Sequence, residues 1–119
     1  MVNIEEFKKI EMKVGKILSA EKVPETDKLL KLLVDLGEPA PRQIISGIAP
    51  YFPDCSVLVG KKCMFVANLE PRVIKGLESQ GMILAVSTDP SPQGSEGAGE
   101  VKFSLLEPNS EIPVGTRAR

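Results

Sequence analysis

Lys28-Leu29-Leu30-Lys31-Leu32-Leu33-Val34-Asp35-Leu36-Gly37 is the stretch on which the reading of the fold turns. Leu29, Leu32, Leu33 and Leu36 recur at helical spacing, whereas Leu30, Leu32, Val34 and Leu36 alternate as in a strand with one buried face. Leucine favours the helix by propensity, and the pattern by itself leaves both readings open. Upstream, Pro24-Glu25-Thr26-Asp27 is a turn. Before it, Met12 to Val23 reads as extended: Met12 and Val14 share one phase and Ile17 the other, with Gly15 between them. A phase change at a glycine predicts a bulge or bend. The first residues predict a short helix, with Asn3 as its cap, Glu6 completing a capping box, and Val2 stapled onto Phe7.

Downstream, a proline-bearing turn at Glu38–Pro41 leads into a β-like run, Gln43–Ile48. Pro50–Leu58 reads as irregular or as one helical turn. Cys63–Leu69 is apolar throughout, as expected of a strand buried on both sides. The chain turns away at Asn68–Arg72, and Gly81–Ser87 is a second apolar strand. A loop rich in Gly, Pro and Ser follows, with Gly94-Ser95-Glu96-Gly97-Ala98-Gly99 in it, and Val101–Leu106 and Ile112–Val114 read as two short closing strands. Five main strands with little helix predict a small closed β-barrel, one domain over residues 1–119.

Composition removes several function classes. No histidine is present among the 119 residues, so no imidazole can serve as a general base near neutral pH. Nucleophile-elbow, phosphate-loop and zinc-protease motifs are all missing. Cys55 and Cys63, the two cysteines, read as reduced thiols and supply no metal-ligand set; neither metal nor cofactor is expected. No apolar run approaches the roughly 20 residues of a membrane span, and the start lacks a secretory leader, which makes the cytoplasm the expected compartment. Net charge is −1, so any nucleic-acid site must be a local basic patch with salt-sensitive binding.

Four ordered segments resemble one family. Pro24-Glu25-Thr26-Asp27-Lys28-Leu29-Leu30 is similar to its hairpin motif, and Arg42-Gln43-Ile44-Ile45-Ser46-Gly47-Ile48 to its Arg-x-(Ile/Val)-(Ile/Val)-Ser-Gly strand. Val66-Ala67-Asn68-Leu69-Glu70-Pro71-Arg72, preceded by Lys61-Lys62, resembles its Asn-Leu-x-Pro signature; Gly76-Leu77-Glu78-Ser79-Gln80-Gly81-Met82-Ile83-Leu84-Ala85 resembles Gly-x-x-Ser-x-Gly-Met-x-Leu-Ala. The family is the tRNA-binding OB domain, found as the C-terminal domain of many bacterial methionyl-tRNA synthetases and as a free-standing structure-specific tRNA-binding protein. The resemblance is close over residues 4–87. It implies an all-β fold: a five-stranded Greek-key OB barrel with a short N-terminal helix, a short helix between strands 3 and 4, and a C-terminal strand extension. Lys28–Leu36 is then a strand.

The resemblance also implies a non-catalytic module that reads tRNA by shape and backbone, working with the catalytic part of methionyl-tRNA synthetase. Lys28, Arg42, Arg72 and Lys75 are its candidate phosphate contacts. Ser46, Asn68, Ser79 and Gln80 are candidates for ribose or base edges, and Met82 for an apolar base contact. Asn68 and Ser79 read equally well as turn-holding residues. One tyrosine and four phenylalanines are too few for a multi-base stacking platform. The family's bacterial members are homodimers, which makes Ile4, Phe7, Ile112 and Val114 candidate interface residues. The alternative is a dimeric OB-fold chaperone or other protein-binding module.

Overall fold

A computed structural model describes residues 1–88 and 101–119. Helix α1 (Ile4–Lys8) begins with the capping box expected: the Asn3 side chain accepts from the Glu6 amide and Glu6 reaches back to the Asn3 amide. Among the described residues nine strands follow: β1 (Met12–Lys22), β2 (Leu30–Asp35), β3 (Arg42–Ser46), β4 (Lys62–Val66), β5 (Arg72–Ile74), β6 (Leu77–Ser79), β7 (Met82–Ile83), β8 (Ala85–Ser87) and β9 (Phe103–Leu105). Two single 3₁₀ turns, Ala49–Tyr51 and Cys55–Leu58, join β3 to β4 and take the place of the short helix expected there.

The main sheet is antiparallel in the order β3-β2-β1-β4-β7, and β3 packs back against β6 and β7, so the sheet curls into a nearly closed barrel. β1 serves two neighbours. Its first half pairs with β4 through Lys16, and from Lys16 onward it pairs with β2. Gly15 lies at this change of partner. A Cβ there would sit 2.7 Å from Phe65 and 2.8 Å from Leu36 and Val34, so only glycine lets the strand bend over the packed core. The irregularity in register, expected at Gly15, comes later, between Ile17 and Ser19.

The ambiguous leucine run is a strand. Leu30, Leu32 and Val34 are fully buried inside the barrel, and β2 is paired along both edges. Burying each of those side chains is worth about 1.5–3 kcal/mol. Helix propensity offers only a few tenths per residue, so tertiary burial wins.

Three expectations need correction. Gly81–Ser87 is not one strand but two short ones, β7 and β8, with Met82 and Val86 exposed; among the described residues β8 pairs only with β9. Ile112–Val114 forms a turn rather than a strand. Lys62 holds that turn, its ammonium donating to the carbonyls of Ser110 and Ile112, both at 3.0 Å. The C-terminal extension meets β1 further on, through Val14 N–H to Thr116 O at 2.9 Å and a bridge between Lys13 and Arg117. Finally, the β5–β6 hairpin stands where the sequence suggested only a turn. The stretch from Pro90 to Gly99, expected as a loop, lies outside the described residues.

Candidate nucleic-acid interface

The hairpin β5–β6 rises from the foot of the barrel, where β4 ends, and folds back along β3. Ile74 pairs with Leu77, which leaves Lys75-Gly76 as a two-residue loop. Both have positive φ, 51° and 78°, the geometry of the type I′ turn that matches strand twist. Directly opposed residues share a face, so Ile74, Leu77 and Ser79 look toward the barrel, with Arg72 on their side but exposed at the hairpin's base, while Val73 and Glu78 look away.

Side chains, rather than a ladder, dock this hairpin on the open edge of β3. Ser79 is 5% exposed; its Oγ accepts from the Ile45 amide at 3.0 Å and donates to Gly81 O at 3.1 Å. Gln80 Oε1 accepts from the Gln43 amide at 3.1 Å, and the Gln80 amide donates to Gln43 O at 2.8 Å. Arg42 completes the closure. Its Nε and Nη2 grip both oxygens of Glu38 at 2.8 and 2.7 Å, and its Nη1 donates to the carbonyls of Ala67 and Gln80. Four of its five N–H donors are thus engaged within the fold. The Arg42 hydrogen bonds hold the Glu38 carboxyl below its usual range. Asn68 works at the same end, accepting from the Glu11 amide at 2.8 Å and donating to Lys9 O, which ties the end of β4 to the start of β1.

The residues singled out from the sequence therefore divide. Arg42, Ser79, Gln80 and Asn68 join β3, the hairpin and the strand ends. Arg72 and Lys75 stand exposed on the hairpin, and Lys28 is exposed on the β1–β2 loop. Ser46 ends β3 opposite Leu30. Met82 lies elsewhere: it is in one cross-strand row with Val66 and Met12, on the β1–β4–β7 wall where the C-terminal segment runs. Tyr51 and Phe103 stack at 4.1 Å, with Phe52 edge-on to Phe103 at 5.7 Å, so these three rings pack on one another.

What the sequence reading missed is the cleft between the two loops. Glu21, Lys22, Val23 and Pro24 form one wall, Leu77 of the hairpin the other, and Lys31 of β2 the base, around a volume of about 250 Å³. Lys31 and Glu21 are opposite each other in the β1–β2 register and pair at 3.0 Å. Among the described residues, the non-glycine residues with positive φ are Glu25 and Lys75. Each sits on one of the two loops that bound this cleft, and local strain gathers at ligand sites. The sequence held one weak signal, Gly76 in a two-residue gap between apolar residues, but lysine ahead of it is not a usual hairpin residue. No group of three or more His, Cys, Asp or Glu side chains gathers as a metal site among the described residues.

This arrangement, an OB barrel with two loops flanking the β2–β3 face, is the fold's usual ligand-binding geometry. Comparison with known proteins agrees. A family described as "Putative tRNA binding domain" matches residues 12–117. The chain is 49% identical over 118 residues to a methionine–tRNA ligase of Methanospirillum hungatei, covering 99% of this chain and 16% of that protein; it therefore spans about one sixth of such a ligase. A solved methionyl-tRNA synthetase-related protein from Pyrococcus horikoshii superposes with a TM-score of 0.82 at 39% identity, covering 100% of this chain and 98% of that one. The chaperone CsaA from Bacillus anthracis gives 0.79 at 26%, covering 100% and 99%. By its sequence and its barrel alike, the chain belongs to the tRNA-binding domain family.

Proposed function

We propose that the chain is a non-catalytic module that holds tRNA against the barrel face between the β1–β2 loop and the β5–β6 hairpin. It would supply local tRNA to the catalytic part of a methionyl-tRNA synthetase, in the same chain or beside it. The observation that carries this reading is the family match together with the grouping of cations around one cleft. Lys22 and Lys31 line it, Lys28 is in one flanking loop, and Arg72 and Lys75 are on the other. These are phosphate contacts, which position a duplex or loop without reading its sequence. Arg42, Ser79 and Gln80 act indirectly, by fixing the hairpin that carries Arg72 and Lys75, and Asn68 by tying the end of β4 to the start of β1.

Titration with unfractionated tRNA tests this. Four or five phosphate contacts predict saturable binding with a log–log salt slope of roughly −3 to −4. Arg72→Ala with Lys75→Ala should flatten the slope by about 1.5 and leave the fold intact. Background-level binding at low salt, or a slope that does not change in the double variant, would remove the assignment.

A second copy of the chain is the proposed occupant of a separate surface. α1 and the C-terminal residues Thr116–Arg119 enclose an apolar groove of about 620 Å³, lined by Ile4, Phe7, Ile10 and Ala118, and Ile4 is 61% exposed. Of the interface candidates from the sequence, Ile4 and Phe7 line this groove, whereas Ile112 and Val114 are half-buried in the preceding turn and do not. Dimerisation would raise apparent affinity by presenting two tRNA-binding faces. Light scattering should give twice the chain mass, and Ile4→Glu should halve it.

A further inference from the structure

The cleft between the β1–β2 loop and the hairpin is chemically mixed in a way that a simple phosphate site would not be. Val23, Pro24 and Leu77 make its walls apolar, and Glu21 brings a carboxylate to its edge. A phosphate gains nothing from the apolar walls, and Glu21 offsets one of the two lysines that would draw it in. A flat, partly apolar group bearing N–H donors gains from both. Lys31 holds Glu21 through Oε1 at 3.0 Å, which leaves Oε2 and the remaining lone pair of Oε1 to accept. Lys22 also lines the cleft and offers a cation to the phosphate that accompanies a base.

We propose that this cleft takes one unpaired base of the bound RNA, and that Glu21 makes it prefer guanine. The inference rests on the tRNA-binding reading and adds the ligand's chemical class. Only an unpaired base can present its Watson–Crick edge to a side chain. Guanine offers two adjacent N–H donors on that edge, matching the two oxygens of a carboxylate. Uracil offers one N–H flanked by two carbonyl oxygens, which a carboxylate repels. Adenine and cytosine fall between, with one amino group beside a ring nitrogen acceptor. Leu77 and Pro24 give the ring an apolar surface to lie on.

The test is fluorescence anisotropy with labelled hexauridylate and with the same oligomer carrying one central guanosine, alongside a tRNA titration. The guanosine oligomer should bind about fivefold more tightly, the lower end expected for a solvent-edge bidentate contact. Glu21→Val keeps a strand-compatible side chain and removes the acceptor. It should abolish the preference while hexauridylate binds as well or better, because a negative charge has gone; general electrostatics cannot move that ratio. Equal binding of the two oligomers by the unaltered protein, with tRNA still bound, overturns the base cleft and leaves the tRNA reading standing. A preference that survives Glu21→Val also overturns it. Failure to bind tRNA at all removes the underlying reading instead.

Discussion

Lys75 occupies the first loop position of the hairpin turn with φ 51°. A residue with a Cβ pays about 1–2 kcal/mol in that left-handed region, and asparagine pays less because its short polar side chain bonds locally. If Lys75 is kept there for its charge, Lys75→Asn should move stability and binding in opposite directions. Relief of about half the strain gives about 0.5–1 kcal/mol, which for a domain of this size raises Tm by about 2–4 °C. Loss of one phosphate contact should flatten the log–log salt slope for tRNA by about 0.7–0.9 and weaken binding several-fold at low salt. Calorimetry and a tRNA titration at four salt concentrations would measure both on the same preparation. Stability that falls, or tRNA affinity and slope that do not move, would refute the reasoning. In the first case the turn is not strained; in the second the charge does not face the ligand.

Other positions give further tests. Ser79→Ala leaves the buried Ile45 amide without its acceptor and should cost about 1–3 kcal/mol in urea denaturation, with faster hydrogen exchange at Ile45 as the local signature. Gly15→Ala forces a methyl against Phe65, Leu36 and Val34 and should cost about 1–3 kcal/mol by overpacking. The Glu38 carboxyl is lowered in the folded state, so its contribution is present above the ordinary range near 4.5 and is lost as pH falls through the folded value; Glu38→Gln should flatten the acid limb of the stability profile. Burial pushes the Cys63 thiol up to about 11. The stability carried by that protonated thiol is complete below its unfolded value near 9 and is lost as pH rises through about 11. At pH 8, alkylation should therefore mark half-buried Cys55 and spare Cys63, as peptide mass mapping would show.

Local features were readable from the chain because their partners are near in sequence. The Asn3–Glu6 capping box spans three residues, and the turn at Pro24 needs no distant contact. Gly15 announced a bend because the phase of neighbouring apolar residues changes across it. The failures were of a different kind. Ile112–Val114 looked like a strand by composition, yet Lys62 from β4 folds its carbonyls into a turn. The run Gly81–Ser87 read as one strand because it is apolar, but among the described residues its second half, β8, pairs only with β9. The hairpin from Arg72 to Ser79 was hidden because lysine is an uncommon residue at such a turn.

By itself the sequence determined the family, through four ordered motifs, the all-β class and the N-terminal cap, since each is carried by residue type and short spacing. Tertiary structure alone decided which charges are available. Arg42 looks no different from Arg72 in the sequence; in the fold, two carbonyls from distant segments and the nearby Glu38 carboxylate surround the first, and the second is exposed. It likewise decided that β2 runs only from Leu30 to Asp35 and that Glu21 and Leu77, 56 positions apart, line one cleft. The reason in each case is the same: burial and hydrogen bonding are supplied by partners distant in the chain, and no local pattern encodes where those partners will stand.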